Sequence, residues 1–188
     1  MERLARFIEK GSRADVIVTT GGTGKGEKDL VSAAIGTLGG DVLFHGVAMS
    51  PGKQTLFAKL GGTLLFGLPG RPAATYIAFE QLVRPVLLRM LGLSQVFPPE
   101  TTAVLSGSMK VRGKTLSFLF GRLIFGPAGL EVESLRSEKK GILTEMLAAN
   151  CLLQAPPGRD RLDKGEQVKV QLLDLGLGGL SYFEVPPC

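Results

Sequence analysis

Apolar and polar positions along this chain keep two different rhythms, and the change falls near residue 93. Before it, helix-spaced and strand-like stretches alternate. The amphipathic start ERLARFIEK predicts a helix over Glu2 to Lys10, and the short β-branched run that follows predicts a strand over Asp15 to Thr19, of the kind buried on both faces. Leu30, Ala33, Ala34 and Leu38 recur at helical spacing, which predicts a helix over Asp29 to Leu38. A short strand near Val42 to Ala48 comes next, then the apolar stretch TLFAKLGGTLLFGLPG, then a long helix from Ala73 to Leu91. In that helix Ile77, Leu82, Val83, Val86 and Met90 share a stripe, Pro72 suits the first turn, and Pro85 is placed to kink it. Helices alternating with strands predict an α/β layout, a layered and mostly parallel sheet with flanking helices, over residues 1–93.

Residues 94–100, ending in PPE, read as a linker. From Thr101 onward the segments TAVLSGSM, LSFLFGRLIF, LEVESL, NCLLQAPPG and EQVKVQLL are short and separated by Gly, Pro and charged turns. That pattern predicts a small barrel-like β domain over 101–175, with one short helix in Ile142 to Asn150. Residues 176–188 read as an extended tail.

Composition narrows the function classes. A chain of 188 residues with 44% hydrophobic and 21% charged residues is ordinary for a globular protein of one large or two small domains. No run approaches the roughly 18 apolar residues of a membrane span, and the charged start is not a signal peptide, so no membrane partner and a cytoplasmic location are expected. Cys151 sits in an apolar run and Cys188 at the end, a pair that reads as reduced and structural. The single His45 leaves almost no material for a Ser/His pair or a zinc set, and it reads as a strand residue bonded to backbone. Charge is uneven: residues 1–93 carry 11 Lys+Arg against 7 Asp+Glu, and residues 94–188 carry 11 against 10. The excess suits an anionic small molecule. Scattered basic residues and 12 aromatics without a stacking motif argue against nucleic acid.

Three turns hold the candidate chemistry. TTGGTGKGEKD, from Thr19 to Asp29, lies between a predicted strand and a predicted helix, and Gly21, Gly22, Gly24 and Gly26 permit close backbone approach to a ligand. It matches neither GxGxxG nor the phosphate loop GxxxxGK[ST]. A phosphate site and a plain tight turn, with Glu27 and Asp29 merely favouring the helix dipole, are both open on this stretch alone. SPGKQ places Ser50, Pro51, Gly52 and Lys53 in a second turn. GLPGRP places Pro69, Gly70, Arg71 and Pro72 in a third. Parallel strands would deliver all three turns to one crevice at the carboxyl end of the sheet.

In order, TTGGTG followed by GE and an acid, HGVAMSPGK, LLFGLPGRPAA, and a β domain holding LAANCLLQAPPG and GEQVKVQLL resemble the molybdopterin molybdenumtransferase family, of the MoeA and gephyrin E-domain type. The likeness runs from about Asp15 to Leu173. It implies insertion of molybdate into adenylylated molybdopterin with release of AMP and a divalent metal, usually magnesium, in a homodimer. By the same likeness Glu27, Asp29 and Lys53 take catalytic positions, with Glu27 the magnesium ligand. Thr20, Gly21, Gly22, Thr23, Gly24, Ser50, Pro51, Gly52, Pro69, Gly70, Arg71 and Pro72 line the pterin nucleotide. Residue types agree with such chemistry: Lys53, the threonines and backbone N–H groups suit an oxyanion, and a carboxylate suits magnesium.

The chain also departs from the family. The bacterial type often has lysines just before the proline of the PGK turn and four residues earlier, where Ser50 and Gly46 stand here. Arg71 occupies a position often held by Asn, and SEKKG around Ser137 to Gly141 replaces a QGSG-like segment. The family's N-terminal domains and its acidic GDE-type opening have no counterpart, which favours reading the chain as part of a longer protein. Two alternatives follow: a pterin-binding or scaffold module of the gephyrin sort, and a MogA-like molybdopterin adenylyltransferase. The second typically ends after the α/β domain, and the added β domain weighs against it.

Overall fold

The computed structural model describes residues 2–24, 30–111, 113–126, 129–136 and 141–173. The chain divides into two compact units, Met1–Gly92 and Leu93–Cys188.

In the first unit, α1 (Glu2–Gly11) is followed by β1 (Val16–Thr20), α2 (Leu30–Thr37), β2 (Asp41–His45), the two-residue β3 (Met49–Ser50), β4 (Leu56–Leu60) and β5 (Thr63–Leu68). The sheet runs β1-β5-β4-β2. Only β1 and β5 are parallel neighbours; β4 runs antiparallel to both β5 and β2. β1, β5 and β2 therefore point the same way with β4 reversed between them, so the sheet is mixed by pairing although three of its four strands share a direction. The reason lies in KLGGTL: Gly61 and Gly62 allow a tight hairpin between β4 and β5, and a hairpin enforces antiparallel pairing.

Alternation along the strands gives the sheet two faces. Leu65 and Ala58, cross-strand neighbours, pack with Ala5 and Ile8 of α1 and Val31, Ala34 and Ile35 of α2. The buried stripe of α2 is thus Val31, Ala34 and Ile35, with Leu30 and Ala33 exposed. This segment is apolar nearly all round, so spacing alone did not select its inner face. Phe44, Phe57 and Phe66 line the opposite face, with ring centroids 5.6 Å apart for the first pair and 4.6 Å for the second.

The long helix is α3 (Pro72–Ala78), a π turn over Phe79–Val83, and α4 (Arg84–Met90). The Arg84 N–H donates to Phe79 O, five residues back, directly before Pro85. Pro85 cannot donate, and the ladder widens by one residue ahead of it. That extra residue shifts the phase of the buried stripe: Ile77 and Val83 are fully buried, whereas Met90 is exposed.

The second unit contains β6 (Glu100–Leu105), β7 (Met109–Lys110), β8 (Leu116–Gly126), β9 (Gly129–Ser134), α5 (Ile142–Ala148), β10 (Cys151–Ala155), β11 (Arg161–Leu162) and β12 (Gln167–Leu172). β8 pairs with β10, β10 with β12, β12 with β6, β6 with β9 and β9 with β8, which closes a five-stranded barrel. Leu105, Val132, Leu153, Leu162 and Val170 fill its interior. Glu100, which the sequence placed in the linker, already pairs with Gln171 as the first residue of β6. Asn150 imitates a strand partner, accepting from Leu123 N at 2.7 Å and donating to Leu123 O at 3.0 Å. Burial pushes the Cys151 thiol up to about 12, so it is a neutral core group, as its apolar setting implied. Cys188 and the tail lie outside the described residues.

Candidate functional site

The register of the first sheet fixes one row across its carboxyl edge. Thr19 stands beside Gly67, Gly67 opposite Leu56, and Leu56 opposite His45. The turn after β1, the loop from His45 to Leu56 and the turn after β5 all emerge at this edge, because β1, β2 and β5 run the same way. The Gly61–Gly62 hairpin lies at the other end.

The glycine turn lies over that row. Gly21 and Gly22 adopt φ of 84° and 72°, the left-handed region that favours glycine, and so bend the chain back over the strand ends. The Gly21 N–H donates to Leu68 O at 2.9 Å, and the Thr23 hydroxyl donates to the same carbonyl at 3.4 Å. Gly67 leaves space for Thr23: a Cβ there would lie 2.8 Å from the Thr23 methyl. From the far strand, His45 Nε2 lies 3.1 Å from Thr23 O. Thr23 is 1% exposed, with its hydroxyl engaged inside the protein. Thr23, read from the sequence as a ligand contact, here bonds the carbonyl of Leu68 and so helps hold the turn.

The third turn meets the first. A Cβ on Gly70 would come within 3.3 Å of Gly21 Cα. Arg71 caps α3 with extended backbone and Pro72 occupies the first helical turn, while the Thr75 hydroxyl contacts Pro69 O and donates to Arg71 O at 3.1 Å. Between β1 and α3 lies an open groove of about 370 Å³, lined by Val18, Thr20, Leu68, Gly70, Pro72, Thr75, Tyr76 and Phe79. Sequence reasoning named Thr20, Gly70 and Pro72 of this set. It missed Val18, Leu68, Thr75, Tyr76 and Phe79, which looked like ordinary core positions of strands and an amphipathic helix.

The groove occupies the face of the sheet opposite the row beneath Thr23, since Val18 and Thr20 alternate with Thr19 along β1. The expected single crevice is therefore an edge with two sides. In the second turn the Ser50–Pro51 peptide is cis, Gly52 is buried and Lys53 is exposed. The loop is closed by bonds from Val47 N to Lys53 O and from Gly46 N to Thr55 O, both 2.9 Å. It shares the edge but does not line the groove. Glu27 and Asp29, the assigned carboxylates, lie outside the described residues, as do Lys25, Gly26 and Lys28. Magnesium requires hard oxygen donors, and the described part of the turn contributes hydroxyls and carbonyls but no carboxylate. Among the described residues no group of three or more His, Cys, Asp or Glu is placed to hold a metal ion.

An α/β unit whose strand ends carry glycine turns, followed by a small closed barrel, defines the class, and comparison with known proteins identifies it. Residues 1–89 match a probable molybdopterin binding domain, and residues 102–173 match the MoeA C-terminal region, domain IV. The molybdopterin molybdenumtransferase of Staphylococcus aureus strain COL is 31% identical over 166 residues, 88% of this chain and 40% of that protein. That of Bacillus subtilis strain 168 is 32% identical over 176 residues, 90% of this chain and 39% of that protein. The crystal structure of the molybdopterin biosynthesis MoeA protein from Pyrococcus horikosii superposes with a TM-score of 0.74 at 32% identity, covering 90% of this chain and 40% of that one. The chain belongs to the MoeA family and spans about 40% of the length of the curated relatives it matches. Among the described residues no helix is long and apolar enough to cross a membrane.

Proposed function

We propose that this chain serves molybdenum cofactor biosynthesis by the activity its relatives are named for, inserting molybdate into adenylylated molybdopterin with release of AMP. The observation that carries this is the shared edge: three turns of the molybdopterin-binding type leave one end of one sheet, and a MoeA-type barrel follows in the same chain. Lys53, exposed on its loop, supplies positive charge to an oxyanion, and Thr20, at the end of β1 on the groove, supplies a hydroxyl. Gly21, Gly22, Gly24, Ser50, Pro51, Gly52, Pro69, Gly70, Arg71 and Pro72 shape the edge against the pterin nucleotide. Gly21 N–H is consumed by Leu68 O, so anion contacts fall to the rest of the turn. Glu27 would hold magnesium, with Asp29 acting beside it in sequence. A bound ion would offset phosphate charge during AMP release. The family likeness also supports a cytoplasmic homodimer, to be checked by analytical ultracentrifugation and cell fractionation.

Glu27→Gln keeps shape and removes charge. On the longest natural form of the protein it is expected to lower AMP release far more than pterin nucleotide affinity, and equal small effects on both would reduce Glu27 to a helix-start residue. Ser50 and Gly46, where relatives often carry lysines, favour a second reading: a module that binds the pterin without turnover. Tight binding with no AMP released would select it.

A further inference from the structure

We infer that His45 is a positioning residue. Aimed by a one-residue bulge at Leu43, it fastens the glycine turn to the root of the loop that carries Lys53. Its catalytic consequence rests on the function proposed above; its geometry does not.

A backbone carbonyl only accepts, so the contact from His45 Nε2 to Thr23 O, 3.1 Å, places the proton on Nε2. Thr23 is thereby held from two strands that are not neighbours, through its carbonyl by β2 and through its hydroxyl by the last carbonyl of β5. β4 lies between them, and its first residue, Leu56, is fully buried beneath the crossing. The turn that begins on one edge strand is thus secured on the other.

The bulge makes this possible. Asp41 and Val42 pair with Lys59 and Ala58, but Phe44 and His45 pair with Phe57 and Leu56, so Leu43 is an extra residue in β2. With uninterrupted register Phe44 would stand opposite Leu56, on the face beneath Thr23, and no donor would reach the turn. The inserted residue sends Phe44 to the other face, against Phe57, and brings His45 to Thr23. Immediately after His45 the backbone enters the loop closed by the Gly46–Thr55 and Val47–Lys53 bonds. His45 therefore sets the separation between the root of the lysine-bearing loop and the turn that runs on in sequence to Glu27 and Asp29.

The chain has one histidine, so its ring nitrogen signals are unambiguous. In the wild-type protein, nitrogen-15 NMR is expected to show a proton on Nε2; a neutral ring protonated on Nδ1 overturns the proposal whether or not any variant folds. His45→Phe keeps a planar ring without a donor, and His45→Gln keeps a donor near the Nε2 position. The Gly21 and Val31 amides, bonded to Leu68 O and Gly22 O, report on the turn, and Val18 and Leu65 report on the sheet. In His45→Phe the first two amides are expected to exchange about tenfold faster with the second two unchanged, and His45→Gln to return within about threefold of wild type. Wild-type rates in His45→Phe, equal acceleration at all four amides, or no rescue by Gln each overturn it. None of these readouts needs turnover, so a protein that releases no AMP would refute the proposed function and leave this result standing.

Discussion

The barrel closes its backbone on itself, whereas the sheet of the first unit, among the described residues, has two edge strands, β1 and β2. In the barrel the polar groups at the turns satisfy one another through side chains. Arg159 meets Glu166 with both contacts at 2.9 Å, Glu166 accepts from Asp163 N at 2.8 Å, and Arg161 beside Asp163 holds that carboxyl below its ordinary value. At the carboxyl edge of the sheet the bonds instead run from backbone, a threonine and one histidine, and glycines replace side chains at Gly21, Gly22, Gly67 and Gly70. A closed ring with charged corners satisfies its polar groups within itself. An edge floored by glycine leaves backbone within reach of a ligand.

The largest expected effect comes from removing core from the barrel. Leu153→Ala, at a fully buried barrel position, is expected to cost about 2–5 kcal/mol in urea unfolding, with amide exchange at Gly21 unchanged. A matching rise at Gly21 would show that the two units do not divide the labour as described. Gly67→Ala comes next. Its Cβ would lie 2.8 Å from the Thr23 methyl and 3.3 Å from Leu56 Cβ. A loss of roughly 1–3 kcal/mol is expected from overpacking, with chemical-shift changes concentrated at Gly21 to Thr23. Unchanged shifts there would remove Gly67 from the site.

A pH test separates the units again. The Cys151 thiol, ordinarily near 9.0, is raised to about 12 by burial, so its neutral form is favoured in the folded barrel. A raised folded value means that this contribution is complete below pH 9 and is lost as pH climbs from 9 toward 12. The unfolding free energy should fall over that window by at most about 1.4 kcal/mol per pH unit, and Cys151→Ala should remove this component. The smallest effect belongs to the charged corners. Arg159 and Glu166 side chains are 45% and 31% exposed, so Arg159→Ala should cost roughly 0.2–1 kcal/mol, less in high salt. A loss rivalling that of Leu153→Ala would make the corner, and not the core, the barrel's main support.

Much of this was legible in the residues. The alternation of helix and strand, the short β segments after Thr101 and the three Gly/Pro turns are local properties, set by side-chain branching, spacing and the conformational freedom of glycine and proline, and the sequence carries them directly. The resemblance of the ordered turns to the MoeA family needed no coordinates. Strand direction was less legible, because one Gly-Gly hairpin reversed β4 between strands that otherwise agree. The groove residues Tyr76 and Phe79 carried no signal beyond amphipathic spacing, and the stripe of the long helix of the first unit lost its phase at the π turn before Pro85. His45 shows the limit most clearly. A lone histidine at a strand end reads as a residue with a backbone partner, and it has one. That the partner is Thr23 depends on a bulge at Leu43, on the absence of a side chain at Gly67 and on a register of four strands. Register is a non-local property: it is chosen by which faces bury together across dozens of residues, and only the folded sheet decides it.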